Sequence, residues 1–162
     1  MKKIILSCFV AASLASVVSA DKDFHLNVGQ TDFIDKSNMT YGLGFGWGTS
    51  NKNFTYLGLD ADVDYIDMPT TDIVRITGIA KLGYRFEMPK GFGDSITPYG
   101  LAGAVGEKYE NDSSISFVYG AGVNYKLNEA FGLAVNYKMA KMDYDGLDVD
   151  ETTTMAVISY YY

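Results

Sequence analysis

From Met39 to Gly48 the chain alternates without a break. Met39, Tyr41, Leu43, Phe45 and Trp47 occupy the odd positions, and Thr40, Gly42, Gly44, Gly46 and Gly48 the even ones. Side chains on a β-strand point to opposite faces in turn, so this period of two gives one face that is wholly large and apolar and another that is almost bare. A strand in a water-soluble sandwich turns its large residues inward and its polar ones to solvent. A wet face of glycines would weaken such a strand for no gain. Something crowded therefore has to lie against the glycine side.

The same period recurs along the chain. Leu57, Leu59, Ala61, Val63 and Tyr65 alternate with Gly58, Asp60, Asp62 and Asp64. Val74, Ile76, Gly78, Ala80, Leu82, Tyr84 and Phe86 alternate with Arg75, Thr77, Ile79, Lys81, Gly83 and Arg85. Tyr99, Leu101 and Val105 oppose Gly100, Ala102 and Ala104. Ile115, Phe117, Tyr119 and Val123 oppose Ser116, Val118, Gly120, Gly122, Asn124 and Lys126. Phe131, Leu133, Val135 and Tyr137 oppose Gly132, Ala134, Asn136 and Lys138, and the last strand runs from Thr152 to Tyr162. With Phe24, Leu26 and Val28 at the start, this predicts eight strands. Turn-forming residues gather at 31–38, 49–53, 67–72, 87–96, 110–114, 128–130 and 143–151, which are expected to be the connections, and Pro98 is expected at a strand's first residue.

Lys2 and Lys3 precede an apolar run from Ile4 to Val18 that closes on Val18, Ser19 and Ala20. This is the pattern of a secretory signal peptide, so residues 1–20 are expected to be cleaved and residues 21–162 to form one domain. Cleavage before Cys8 would leave too short an apolar stretch for a lipoprotein leader. Cys8 is the only cysteine, so the exported domain is expected to have no disulfide, thiol nucleophile or cysteine metal site. The net charge of −7 becomes more negative without Lys2 and Lys3, which excludes nucleic acid as a partner.

A closed barrel in a membrane accommodates the whole pattern. The apolar face meets lipid, while the small and charged face fills a narrow interior. Strands of about 9 to 11 residues cross a bilayer when tilted, and aromatic residues near their ends supply the interfacial girdles. In lipid only a closed barrel satisfies every backbone group of a sheet. The fold expected is all-β: a closed eight-stranded antiparallel transmembrane β-barrel, an up-and-down meander. By the same rule Tyr99, Leu101 and Val105 are assigned to the lipid face.

The run Thr97-Pro98-Tyr99-Gly100-Leu101-Ala102-Gly103-Ala104-Val105-Gly106, the segment Tyr119 to Tyr125 and the pair Asn136-Tyr137 resemble the small outer-membrane β-barrel family typified by OmpX, the opacity proteins and the OmpA membrane domain. The resemblance implies an outer-membrane location, with both chain ends in the periplasm and the connections 31–38, 67–72, 110–114 and 143–151 facing outward. It also implies that Ile158, Tyr160 and Tyr162 form the C-terminal signal read by the outer-membrane assembly machinery. A chain ending at Tyr162 is expected to lack the peptidoglycan-binding domain of OmpA-like proteins. Outer-membrane lipid and lipopolysaccharide are the expected partners, and no cofactor is expected.

Candidate chemistry is sparse. His25, the only histidine, falls near the periplasmic end without an evident nucleophile or orienting group, so it is expected to be an imidazole packed at the inner rim. Asp60, Asp62 and Asp64 share one face, and Arg75, Lys81 and Arg85 share the facing side of the next strand. They are expected to form a structural ion-pair network in the lumen, with Arg75 bridging Asp62 and Asp64. The acidic stretch 143–151 is expected to be a solvated loop, with weak binding of Ca²⁺ or Mg²⁺ as its alternative and no metal site assigned. Eight strands enclose only enough space for side chains. The expected function is therefore a non-enzymatic structural or surface-interaction (adhesin-like) role in the outer membrane. A narrow porin-like channel and a lipid-modifying enzyme are the alternatives.

Overall fold

The computed structural model describes residues 21–162 apart from 34–35, 51–54, 70–71, 110–111 and 145, and gives the backbone alone for 109, 112 and 144. The expected signal peptide, residues 1–20, lies outside the described residues. The strands are β1 (Asp21–Phe33), β2 (Lys36–Ser50), β3 (Thr55–Asp67), β4 (Ile73–Tyr84), β5 (Phe86–Glu87), β6 (Ser95–Tyr109), β7 (Asp112–Lys126), β8 (Phe131–Tyr144) and β9 (Leu147–Tyr161). β5 is a two-residue continuation of β4 beyond Arg85, so the barrel has eight staves. Each stave pairs antiparallel with its neighbours in chain order. β1 with β9 and β4 with β6 complete the circle.

The staves run for 12 to 15 residues, longer than the ~9 to 11 that cross a bilayer. Their outward faces carry Leu26, Leu43, Ile76, Phe117, Leu133 and Ile158, each at least 45% exposed. Such a continuous apolar surface is stable only against lipid. Cross-strand aromatic pairs reinforce it: Phe24 with Phe45 at 5.4 Å, Tyr41 with Tyr65 at 5.3 Å, and Phe131 with Tyr160 at 5.5 Å between centroids.

Three expectations change. First, β6 is turned round: Tyr99, Leu101 and Val105 are buried in the lumen, while Gly100, Ala102 and Ala104 face outward. They pack with Tyr56, Ile79, Val118 and Met142 in an apolar cluster inside the barrel. Second, strand pairing continues through most of the residues expected to be connections at the end away from the termini. Phe33 pairs with Lys36, Tyr109 with Asp112 and Tyr144 with Leu147. Polar residues suit a strand once it has left the apolar layer, so polarity there marks the edge of the lipid and not a turn. Third, Pro98 is the fourth residue of β6. It lies where the ladder to β4 and β5 is interrupted, between Gly83–Tyr99 and Phe86–Ile96, a position that suits a residue with no N–H.

Candidate functional site in the lumen

The inward faces of all eight staves meet along the barrel axis, and their side chains fill it in layers. At the end away from the termini, Phe33, Ile66, Ile73 and Val149 form a buried apolar plug, with Met68 against it. Beneath it lies Arg75. Its Nε donates to Glu107, its Nη2 to Glu151 at 2.5 Å and its Nη1 to Thr153 Oγ1 at 2.8 Å. Thr31 joins the layer through Thr40 at 2.8 Å and Thr153 at 3.0 Å. The planar guanidinium fork satisfies several acceptors at once, which suits Arg to this position.

Asp62 is the hub of the middle layer. Its Oδ2 takes Lys138 Nζ at 3.1 Å, and its Oδ1 takes His25 Nε2 at 2.7 Å and Asn27 Nδ2 at 3.3 Å. Asn27 also donates to Asp64 at 3.1 Å. The other ring nitrogen of His25 is 2.7 Å from Asp23. A neutral imidazole donates from one nitrogen only, so holding both carboxylates requires the imidazolium. The glycine face of β2 makes room for this layer. A Cβ at Gly44 would collide with Asp62 and His25, one at Gly42 with Asp64, and one at Gly46 with Asp23.

Toward the termini Lys81 pairs with Asp60 and lies 4.8 Å above the Tyr99 ring, whose hydroxyl donates to Asn136 at 2.5 Å. At the mouth, Asp21 accepts from Arg85 at 3.0 Å and Lys126 at 3.3 Å. Arg85 also donates to Ser50, and Lys126 lies 4.7 Å above the Tyr161 ring. A void of about 10 Å³ bounded by Arg75, Thr77, Glu151 and Thr153 is room for about one water.

All six residues expected in the lumen network point inward, and among them Asp60 and Lys81 pair with each other directly. Arg75 sits opposite Asp64 in the ladder, but it does not bridge Asp62 and Asp64. Its register partner on the other side is Glu107, and the side chain spans the lumen to Glu151, while Asp62 is neutralised by Lys138 and His25. His25 is likewise not unpartnered, although both its nitrogens are committed to carboxylates and neither is left as a general base for a nucleophile. Parity alone would have found Asp23, two residues from His25. Glu107 was hidden by the reversed facing of β6, and Glu151 by its place in an expected loop. That acidic stretch is not one cluster. Asp143 accepts from Gly146 N at 2.8 Å, Asp148 pairs with Lys141 at 2.7 Å and Glu151 turns into the lumen. Asp145 lies outside the described residues. In the last strand Ile158 and Tyr160 face outward, and Tyr162 is exposed with its N–H donated to Lys22 O at 3.0 Å.

A family model described as the outer membrane protein beta-barrel domain matches residues 4–161. Among solved structures, the attachment invasion locus protein Ail of Yersinia pestis is similar, with a TM-score of 0.66 at 17% identity, over 88% of this chain and 97% of that one. Neisserial surface protein A gives 0.60 at 13% identity over 90% and 98%. The outer membrane enzyme PagL gives 0.55 at 19% identity over 85% and 97%. At these identities the likeness carries the fold alone. No curated protein matches the chain.

Proposed function

Because the chain belongs to the outer-membrane protein β-barrel domain family, we propose that it serves as a non-enzymatic structural or surface-interaction protein of the outer membrane. The observation that carries this reading is the lumen filled from the apolar plug to the Asp21 mouth by paired side chains. A channel needs a continuous wet path. A hydrolase needs a base with a free lone pair beside a nucleophile, and His25 has both nitrogens committed. One similar structure is described as an attachment invasion locus protein, also captured with a heparin analogue, which supports keeping surface interaction within the reading. Planar-bilayer recordings of the purified protein test it. The expected result is no stepwise conductance, and steady unitary steps would replace this reading with a narrow channel. Release of acyl chains from labelled outer-membrane lipid would replace it with an enzyme.

Within the same reading, residues 1–20 are a signal peptide removed on export. Both ends of the domain face the periplasm, and Ile158, Tyr160 and Tyr162 are the signal read by the assembly machinery. Deleting Tyr162 is expected to lower outer-membrane levels in cells while refolding into detergent stays nearly normal. Equal losses in the two assays would make Tyr162 a stability residue only.

A further inference from the structure

The connection between β5 and β6, residues 88–94, is longer than the 127–130 turn beside it. Pairing first continues one step past Glu87–Ser95, with Met88 N donating to Asp94 O at 3.0 Å and Asp94 N to Lys126 O at 2.8 Å. The chain then reverses at Pro89, whose carbonyl accepts from Phe92 N at 3.1 Å, and Gly91 and Gly93 take φ of 97° and 95°. Gly91 is the third of the four residues from Pro89 to Phe92, where a type II turn needs positive φ and hence glycine. The tip is therefore a built hairpin end and not a slack loop.

This tip sits on the outside of the wall. Tyr125 lies between Asn124, which donates to the inward Tyr161, and Lys126, which reaches Asp21 at the mouth, so its own ring points outward. That ring donates its hydroxyl to Phe92 O, and a Cβ on Gly93 would stand 2.6 Å from the same hydroxyl oxygen. The tip covers the ring: Tyr125 is half-buried, whereas Tyr119 and Tyr137, outward on the neighbouring lipid face, are 49% and 46% exposed. Through the register pairs Phe86–Ile96, Ile96–Tyr125 and Tyr125–Leu133, the seat of the tip is continuous with the lipid-facing surface of the barrel. Phe92 itself is 68% exposed.

We propose that residues 88–94 are a membrane-seated strap, which folds out over Tyr125 and inserts Phe92 among the phospholipids of the leaflet at the end that carries the chain termini. A phenylalanine ring in water at the edge of an apolar wall is unfavourable, and the same ring between lipids removes that cost. Lys90, Asp94 and Glu129 are all exposed around the tip, so it rests at the headgroup layer and goes no deeper, with the Lys90 stem along the boundary. Girdle aromatics are carried by the staves, whose ladder sets their depth. Phe92 is carried by a connection, and its seat depends on the Tyr125 hydroxyl and on two glycines in left-handed conformation.

Trp47 is the only tryptophan, so Trp47→Phe combined with Phe92→Trp places a single indole on the tip. In vesicles of phosphatidylethanolamine and phosphatidylglycerol its emission is expected to lie to the blue of N-acetyltryptophanamide in buffer. Lipid brominated near the headgroup end of its acyl chains is expected to quench it more than lipid brominated at the chain ends, as suits an interfacial aromatic. Emission matching the free amide, with no quenching by either lipid, would overturn the proposal. Adding Gly93→Ala, whose methyl group strains the backbone and meets Tyr125, is expected to return the emission toward the red and weaken the quenching. Unchanged emission would mean that the seat on Tyr125 does not hold Phe92 in the lipid, and the strap would be overturned. Cys8 precedes the barrel domain and is the only cysteine, so a nitroxide on Phe92→Cys in the refolded domain 21–162 gives a second measurement should the tryptophan variants fail to fold. The label is expected to collide with oxygen more often than with an aqueous nickel chelate, as a label on Leu133→Cys does, and the opposite ranking would overturn the proposal.

Discussion

The inner faces of β2 and β6 lie in different halves of the same lumen and are built in opposite ways. β2 presents Gly42, Gly44 and Gly46, and the space they leave is taken by Asp23, His25, Asp62 and Asp64 from the strands on either side. β6 presents Tyr99, Leu101 and Val105, which fill the other half together with Tyr56, Ile79, Val118 and Met142. A barrel of eight strands has a fixed small interior. Where one stave gives up volume, its neighbours supply it. Which face of an alternating strand turns inward is thus set by the volume and charge of the strands beside it, not by the strand's own pattern.

The comparison breaks most clearly at the charged layer. Arg75→Ala leaves Glu107 and Glu151 buried without their shared cation, and removing one partner of a buried pair typically costs about 3 to 5 kcal/mol. The urea midpoint of the refolded barrel is expected to fall far below that of Lys22→Ala, an exposed control. Equal midpoints would mean that the Arg75 layer is solvated. Next in size is the apolar half. Leu101→Ala empties space in the lumenal cluster and is expected to cost about 2 to 5 kcal/mol. If β6 faced the other way, the same change would alter only a lipid contact, and the thermal transition in detergent would move no more than for Leu133→Ala. Smaller again is Gly44→Ala, whose new methyl group meets His25 and Asp62; overpacking of this kind costs about 1 to 3 kcal/mol. The smallest effect is at Gly106, where a Cβ finds its nearest atoms at 3.8 and 3.9 Å. Gly106→Ala is expected to stay within about 0.5 kcal/mol, so a large loss there would reverse the assignment of the two faces.

Much of this fold is legible in the sequence because period-two alternation needs no partner to be read. The staves follow from local parity and their antiparallel order from the short connections, while the inward direction of Asp60, Asp62, Asp64, Arg75, Lys81 and Arg85 follows from charge that the lipid face excludes. The pairing of those charges does not. Arg75 takes Glu107 from the next stave, whose facing is reversed, and Glu151 from the last, a choice that depends on the closure of the barrel. β6 misleads for a related reason, since Gly100, Ala102 and Ala104 are as acceptable to lipid as leucine when the lumen needs the larger residues.

Where Phe33 pairs with Lys36, Tyr109 with Asp112 and Tyr144 with Leu147, each hairpin has only two residues between its paired ends. Hairpin register is fixed by turn length, and a slip of one residue sends every side chain to the opposite face. Ordinary loops absorb insertions readily. An extra residue within the paired part of one of these strands would carry lumenal charges such as Glu151 to the lipid face unless a bulge took it up, so added length at this end is expected to be tolerated best in the longer connection between Ile66 and Ile73.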